Sequence, residues 1–157
     1  MSTLEAQERW TIFDVAAFTM WSDKRLAAAE VSVARAIAEQ LDVPLDQAGA
    51  RLRGGVDELG ELALSPLGAD LAYAVAAWVA LADGVEHPAE RAVLRMLGYR
   101  LGLTRERTTE IESHAYVCSW DRSGPTAHAR FDALVRAIHG LGADSRAPTY
   151  DMWEAAE

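Results

Sequence analysis

The sequence has a single cysteine, Cys118, in 157 residues. One cysteine excludes a disulfide within the chain and fits a reducing compartment. The longest apolar stretch, from Leu71 to Ala82, is too short to cross a bilayer as a helix. Residues Met1 to Arg9 lack the basic start of a secretory signal peptide. We therefore expect a cytoplasmic protein that does not span a membrane, although peripheral association with a membrane stays open.

Basic residues are also scarce, since the chain has 24 acidic and 15 basic residues and a net charge of -9 at pH 7. A nucleic-acid-binding protein needs a surface rich in lysine and arginine to displace counterions from phosphates. The charge balance therefore argues against a nucleic-acid partner. An acidic surface suits cations or a basic patch on a protein partner, and it also serves solubility alone.

Strand patterns are absent too, because no run of β-branched residues alternates with polar ones. Alanine, leucine, glutamate and arginine dominate, and all four favour helices. These features predict an all-α protein, a compact bundle of about seven helices. We expect one domain over residues 1–141 and a C-terminal tail over 142–157. The predicted helices span about 3–21, 28–41, 45–54 with a continuation over 56–64, 68–82, 88–101, 104–118 and 127–141.

The sequence contains an internal repeat. Residues 14–47 align with residues 74–107 without a gap at an offset of 60. Nine residues of the first copy are identical to their counterparts in the second: Val15, Ala16, Ala17, Asp23, Ala29, Glu30, Val33, Arg35 and Leu41. Each copy reads as a helix–turn–helix unit with one apolar face. The two units should therefore pack on each other, as an internally duplicated core with approximate two-fold symmetry.

The turn from Ala82 to Glu90 is the most specific string in the chain. Gly84 permits the left-handed conformation that ends a helix, and Pro88 suits the first position of the next helix. Glu90 would then lie in the first turn, where a carboxylate is favoured by the positive end of the helix. On this interpretation the turn is structural and needs no ligand.

A second interpretation is a divalent-cation site. Asp83, Glu86 and Glu90 place three carboxylates around one short turn, and Ca²⁺ and Mg²⁺ prefer such oxygen ligands. The first copy offers a weaker site at Asp23 and Glu30. It is weaker because the positions of Gly84 and Glu86 are taken there by a lysine and a leucine.

The strings from Ala82 to Gly84, from His87 to Leu94 and from Leu101 to Thr104, together with the repeat, resemble the tellurite-resistance TerB family. The wider TerB-like superfamily includes the N-terminal domain of a membrane-anchored DnaJ-like cochaperone. The resemblance covers about two-thirds of the chain and implies an all-α fold with a duplicated core. It also implies that acidic residues at the two turns bind divalent cations. Family members are linked to tellurite and other stress responses, and none has an established catalytic role.

In the remaining sequence His114 and Cys118 lie four residues apart, on one face of a predicted helix. Such a pair could ligate zinc or form an activated thiolate, but two ligands do not make a metal site. A buried cysteine beside a surface histidine is the alternative. Five tryptophans are many for this length and are enriched at protein contacts, so we expect a protein partner.

Three functional hypotheses follow. The first is a non-enzymatic, TerB-like cytoplasmic accessory or scaffold protein that acts in tellurite or stress response and binds a divalent cation. The alternative is a protein–protein adaptor whose acidic turns are purely structural and bind no metal. A hydrolase or redox enzyme built on His114 and Cys118 is the third possibility, and we expect no enzymatic activity. The oligomeric state does not follow from the sequence.

Overall fold

The computed structural model describes residues 4–23, 28–80, 88–119 and 127–141. Over these ranges the chain forms seven α-helices and one short 3-10 turn, Trp21–Asp23, and it has no strand. The prediction of an all-α bundle of about seven helices is confirmed. The helices are α1 (Ala6–Met20), α2 (Ala28–Leu41), α3 (Leu45–Gly54), α4 (Pro66–Ala80), α5 (Pro88–Arg100), α6 (Arg105–Ser119) and α7 (Ala127–Leu141).

The central helix of the bundle is α4. Every residue from Gly68 to Ala80 is buried. Apart from Asp70 and the hydroxyl of Tyr73, this segment is apolar on all sides, which is typical of a helix surrounded by others. It contacts α1, α2, α5, α6 and α7, and its many alanines let these neighbours approach closely. In the described part of the chain, no helix is long and apolar enough to cross a membrane.

The last helix closes the bundle. α7 packs against α2, α4 and α6, and it buries Phe131, Leu134, Val135 and Ile138. The ring of Phe131 lies against the ring of Trp78 in α4, with centroids 5.1 Å apart. This aromatic contact joins the C-terminal helix directly to the central one.

Helix boundaries of the first half recur 60 residues later. Ala6–Met20 corresponds to Pro66–Ala80, and the starts of α2 and α3 correspond to the starts of α5 and α6. The same offset relates the turns after α2 and α5. Asp42 has a φ of 57° and Gly102 a φ of 70°, the left-handed conformation that ends helices. A duplicated origin of the two halves stays a prediction that these correspondences support.

Hydrogen bonds of the two turns correspond as well. The N–H of Val43 donates to the carbonyl of Ala38 at 3.1 Å, and the N–H of Leu103 donates to the carbonyl of Gly98 at 3.0 Å. These bonds satisfy carbonyls that would otherwise be left unpaired at the helix C-terminus. Asp42 adopts the left-handed conformation without being glycine, which aspartate tolerates better than most residues.

One predicted helical segment is wrong. Residues 56–64 do not continue α3 but form an irregular connection to α4. The helix ends because Gly55 has a φ of 79°, which is outside the helical range. The connection is held at its middle by Arg100, whose Nη2 donates to the carbonyl of Gly60 at 2.6 Å. At its end, the N–H of Ser65 donates to Oε1 of Glu8 at 2.7 Å.

A buried ion pair fixes α6 against α4. Nη2 of Arg107 lies 2.7 Å from Oδ2 of Asp70, and Nε of Arg107 donates to Oδ1 at 3.3 Å. The two side chains are 3% and 0% exposed. The pair has no equivalent in the first half, where the corresponding positions are Trp10 and Gln47. The duplicated alignment therefore does not predict it.

Candidate functional site

The structure describes only part of the predicted acidic site. Asp83 and Glu86 lie outside the described residues. Glu90 is the third residue of α5 and Glu30 is the third residue of α2, so the two occupy matching places. Both are buried, at 4% and 8% exposure, and each has an interaction partner. Asp23 is the last residue of the 3-10 turn. This turn contacts α5, the helix that contains Glu90.

These positions agree with both interpretations of the acidic turn. A buried carboxylate in the first helical turn is stabilised by the positive end of the helix, as a structural residue would be. It could equally supply one or two oxygens to a cation, given further ligands nearby. Among the described residues, no group of three or more histidine, cysteine, aspartate or glutamate side chains is placed to hold a metal.

The pair His114 and Cys118 lies in α6 as predicted. Cys118 is buried and free, and burial raises the pKa of its thiol, with Arg130 opposing that effect in part. A raised pKa keeps the thiol protonated near neutral pH, whereas a nucleophilic or metal-binding cysteine needs its thiolate form. The environment of Cys118 is therefore that of a structural residue.

A groove between α5 and α6 is lined mainly by polar side chains, and the sequence alone did not predict it. α4 forms its floor through Tyr73, and the two helices form its walls. We call it the polar groove and define it by six of its lining residues: Tyr73, Arg91, Arg95, Arg105, Thr109 and Glu112. Its volume is about 600 Å³. A concave site of this size is large enough for a small ligand or part of a peptide.

Three side chains at the centre of this groove hold one another in place. The hydroxyl of Tyr73 donates to Oε2 of Glu112 at 2.7 Å, and Nη2 of Arg91 donates to Oε1 at 2.8 Å. Burial, and then the hydrogen bond to Glu112, raises the pKa of Tyr73, so this hydroxyl stays protonated. Glu112 forms its ion pair with Arg91, and it forms none with the other two arginines of the groove.

Those other arginines are Arg95 on α5 and Arg105 at the start of α6. Both are exposed, and neither is paired with an acidic side chain anywhere in the described ranges. The six residues that define the groove thus carry three positive charges and one negative charge. This local excess of positive charge lies on a chain whose net charge is -9.

The polar groove continues past Arg91 and Glu112 into a second hollow of about 550 Å³, which we call the apolar end. Its rim is formed by Tyr116 and Val117, which are 50% and 65% exposed. Tyr99, which lines the polar groove but not the apolar end, is 89% exposed. Large apolar and aromatic side chains exposed beside a groove are typical of binding surfaces.

The first half of the chain has a groove at the matching place, between α2 and α3, with a volume of about 400 Å³. Nine of its lining positions correspond to lining positions of the polar groove at the offset of 60. The chemistry differs, however. Phe13, Val31 and Leu52 correspond to Tyr73, Arg91 and Glu112, so the central network is replaced by apolar side chains. Only Arg35, the counterpart of Arg95, keeps its charge, and it is paired with Glu39 at 3.1 Å.

The sequence carried a signal for the polar groove that could have been recognised. Where two copies of a segment match in pattern, positions that change from apolar to charged mark a surface with a separate role. Within the aligned segment, Val31 corresponds to Arg91 and Leu45 to Arg105. Just beyond the segment, Leu52 corresponds to Glu112. That these positions line one groove depends on the packing of α5 and α6 on α4.

No family model matches the chain, and neither a curated protein nor a solved structure matches it.

Proposed function

We propose that this protein is a non-enzymatic accessory or adaptor protein that binds a protein partner through the polar groove between α5 and α6. The observation that supports this is the coexistence of two unpaired arginines, Arg95 and Arg105, with exposed aromatic and apolar side chains along one groove. Arginine, tyrosine and tryptophan are the residues most enriched where proteins contact each other. The resemblance to TerB-like proteins, which have no established catalytic role, agrees with an accessory function in the cytoplasm and in a stress response.

The adaptor function is tested by removing the exposed apolar contacts of this surface. Tyr99→Ser combined with Val117→Ser should abolish recovery of the specific partner from a cell extract, while the thermal midpoint stays within a few degrees. Little stability should be lost because both side chains are exposed in the folded state. A partner recovered with the wild-type protein is then titrated as a purified protein, so that direct binding is measured.

The matched control is Val31→Ser combined with Leu45→Ser, which changes the rim of the corresponding groove in the first half. Both of these residues are also exposed. Binding that is lost in the first double variant and retained in the control assigns the partner to the polar groove. Equal binding by both double variants would place the partner elsewhere and refute this function.

A second candidate is a response to a divalent cation, supported by the burial of Glu30 and Glu90 at matching positions. The protein would bind Ca²⁺ or Mg²⁺ through Asp83, Glu86 and Glu90, with Asp23 and Glu30 as the weaker set. A cation that binds only the folded state, present at 100 times its Kd, adds about 2.7 kcal/mol to the free energy of unfolding. For a chain of this length the thermal midpoint of the metal-stripped protein should then rise by about 5–10 °C.

Asp83→Asn combined with Glu90→Gln should remove this rise. Glu106→Gln, which changes an exposed carboxylate in the first turn of α6, should retain it. The cation hypothesis fails if neither Ca²⁺ nor Mg²⁺ shifts the midpoint of the wild-type protein. In that case the acidic turns act only as structural residues at helix ends, as the adaptor interpretation requires.

A further inference from the structure

We infer that the polar groove recognises an extended peptide segment in which a carboxylate and an apolar side chain are separated by about one groove length. This inference rests on the proposed adaptor function and specifies the chemistry of the partner. The carboxylate would bind between Arg95 and Arg105, and the apolar side chain would pack on Tyr116 and Val117. The occupant is an acidic segment of another protein.

The charge of the groove selects a carboxylate. An arginine guanidinium presents donors that match the two oxygens of a carboxylate, and such charge-assisted hydrogen bonds are stronger than neutral ones. Arg91 is already bonded to Glu112 at 2.8 Å, whereas Arg95 and Arg105 have no acidic partner among the described residues. Glu112 lies between the two ends of the groove and is itself bonded on both oxygens. A ligand carboxylate is therefore directed to the end that holds Arg95 and Arg105.

The opposite end of the groove selects an apolar group. Tyr116 and Val117 are exposed there, and no arginine other than Arg91 lines that hollow. Burying these two surfaces against an aliphatic or aromatic side chain removes apolar area from water on both partners. The two ends share Arg91, Leu94, Thr109 and Glu112, so they form one continuous path along α6.

The length of this path sets the spacing in the ligand. From Arg105 to Val117 the path follows α6 for twelve residues, or about 18 Å at 1.5 Å per residue. An extended peptide covers about 3.3 Å per residue, so the apolar residue lies about five or six positions along the peptide from the residue with the carboxylate. A free phosphate or acetate ion would occupy only the arginine end and would gain nothing from Tyr116 and Val117.

The test uses the full chain, uniformly labelled with ¹⁵N, and a blocked peptide with the sequence Trp-Gly-Ser-Gly-Ser-Glu. Chemical-shift changes of backbone amides give both the location of the peptide and its Kd. We expect changes along α5 and α6. Replacing the glutamate of the peptide by glutamine should weaken binding about tenfold, which is the size of one lost charge-assisted hydrogen bond. A peptide with the reversed sequence is titrated as well, because the inference does not fix the direction in which the peptide runs. The comparisons then use the peptide that binds with the lower Kd.

Two protein variants complete the test. Arg95→Gln combined with Arg105→Gln should raise the Kd of the glutamate peptide about tenfold. The Kd of the glutamine peptide should not change. Arg35→Gln, at the position of the first half that corresponds to Arg95, should change neither. Acetate and inorganic phosphate should bind at least tenfold more weakly than the peptide.

Three results would overturn the inference. They are equal affinity for the glutamate and glutamine peptides, shift changes confined to other helices, and free acetate or phosphate binding as tightly as the peptide. Any of these leaves the adaptor function standing if the partner recovered from cells still requires Tyr99 and Val117. Loss of that requirement would instead refute the adaptor function itself, so the two failures are distinguishable.

Discussion

Arg107→Ala is expected to lower the free energy of unfolding by about 3–5 kcal/mol. The substitution leaves the carboxylate of Asp70 without its ion-pair partner in a fully buried position of the central helix. A carboxylate is strongly hydrated in the unfolded chain, so its burial without that partner is costly. The cost falls on α4, which contacts five other helices, and it is therefore not relieved by local movement. Urea denaturation at pH 7, followed by circular dichroism, measures the change.

Replacement of both partners separates the ion pair from the packing it provides. Asp70→Leu combined with Arg107→Met should be less destabilising than Arg107→Ala, because it leaves no buried charge unpaired and keeps much of the side-chain volume. A loss below about 1 kcal/mol for Arg107→Ala would contradict the burial of this pair.

Phe131→Ala should lower the free energy of unfolding by about 3–5 kcal/mol as well. Phe131 is fully buried, and its ring packs on Trp78 with centroids 5.1 Å apart. Removing the ring leaves a cavity between α7 and α4 that surrounding helices can fill only in part. The expected result is a lower midpoint in guanidinium denaturation and a change in tryptophan fluorescence.

Phe131→Leu is the control for this substitution. Leucine retains most of the apolar volume, so the loss should stay below about 1.5 kcal/mol. Val117→Ala is a second control on α6, where an exposed side chain should contribute within about 0.5 kcal/mol. If Phe131→Ala were no worse than Phe131→Leu, α7 would not be packed on the central helix as described.

Much of the fold could be predicted from the sequence because its signals are local. Pro88 and the helix-forming residues after it predict a helix start that the structure places at Pro88, and α7 begins and ends where its apolar spacing indicates. The failure at residues 56–64 has a local cause as well. The conformation of Gly55, with a φ of 79°, redirects the chain, and composition alone does not reveal that value.

The sequence predicted only some of the candidate site residues. Glu30 and Glu90 were predicted from the repeat, and their matching burial follows from their place in the first turns of α2 and α5. Arg95 and Arg105 were not predicted, because each is an ordinary surface arginine until α5 and α6 are placed side by side. Their pairing state depends on distances between helices, and no local pattern encodes such distances.

The sequence by itself determined the all-α class, most of the helix positions and the alignment of the two halves, since each depends on residue spacing within a segment. Only the tertiary structure decided which charges are paired. It buries Asp70 with Arg107 at 2.7 Å, uses Glu112 to hold Arg91 and Tyr73, and leaves Arg95 and Arg105 unpaired within the described ranges. The physical reason is that an ion pair forms only when both groups meet within about 4 Å, and helix packing alone sets that distance.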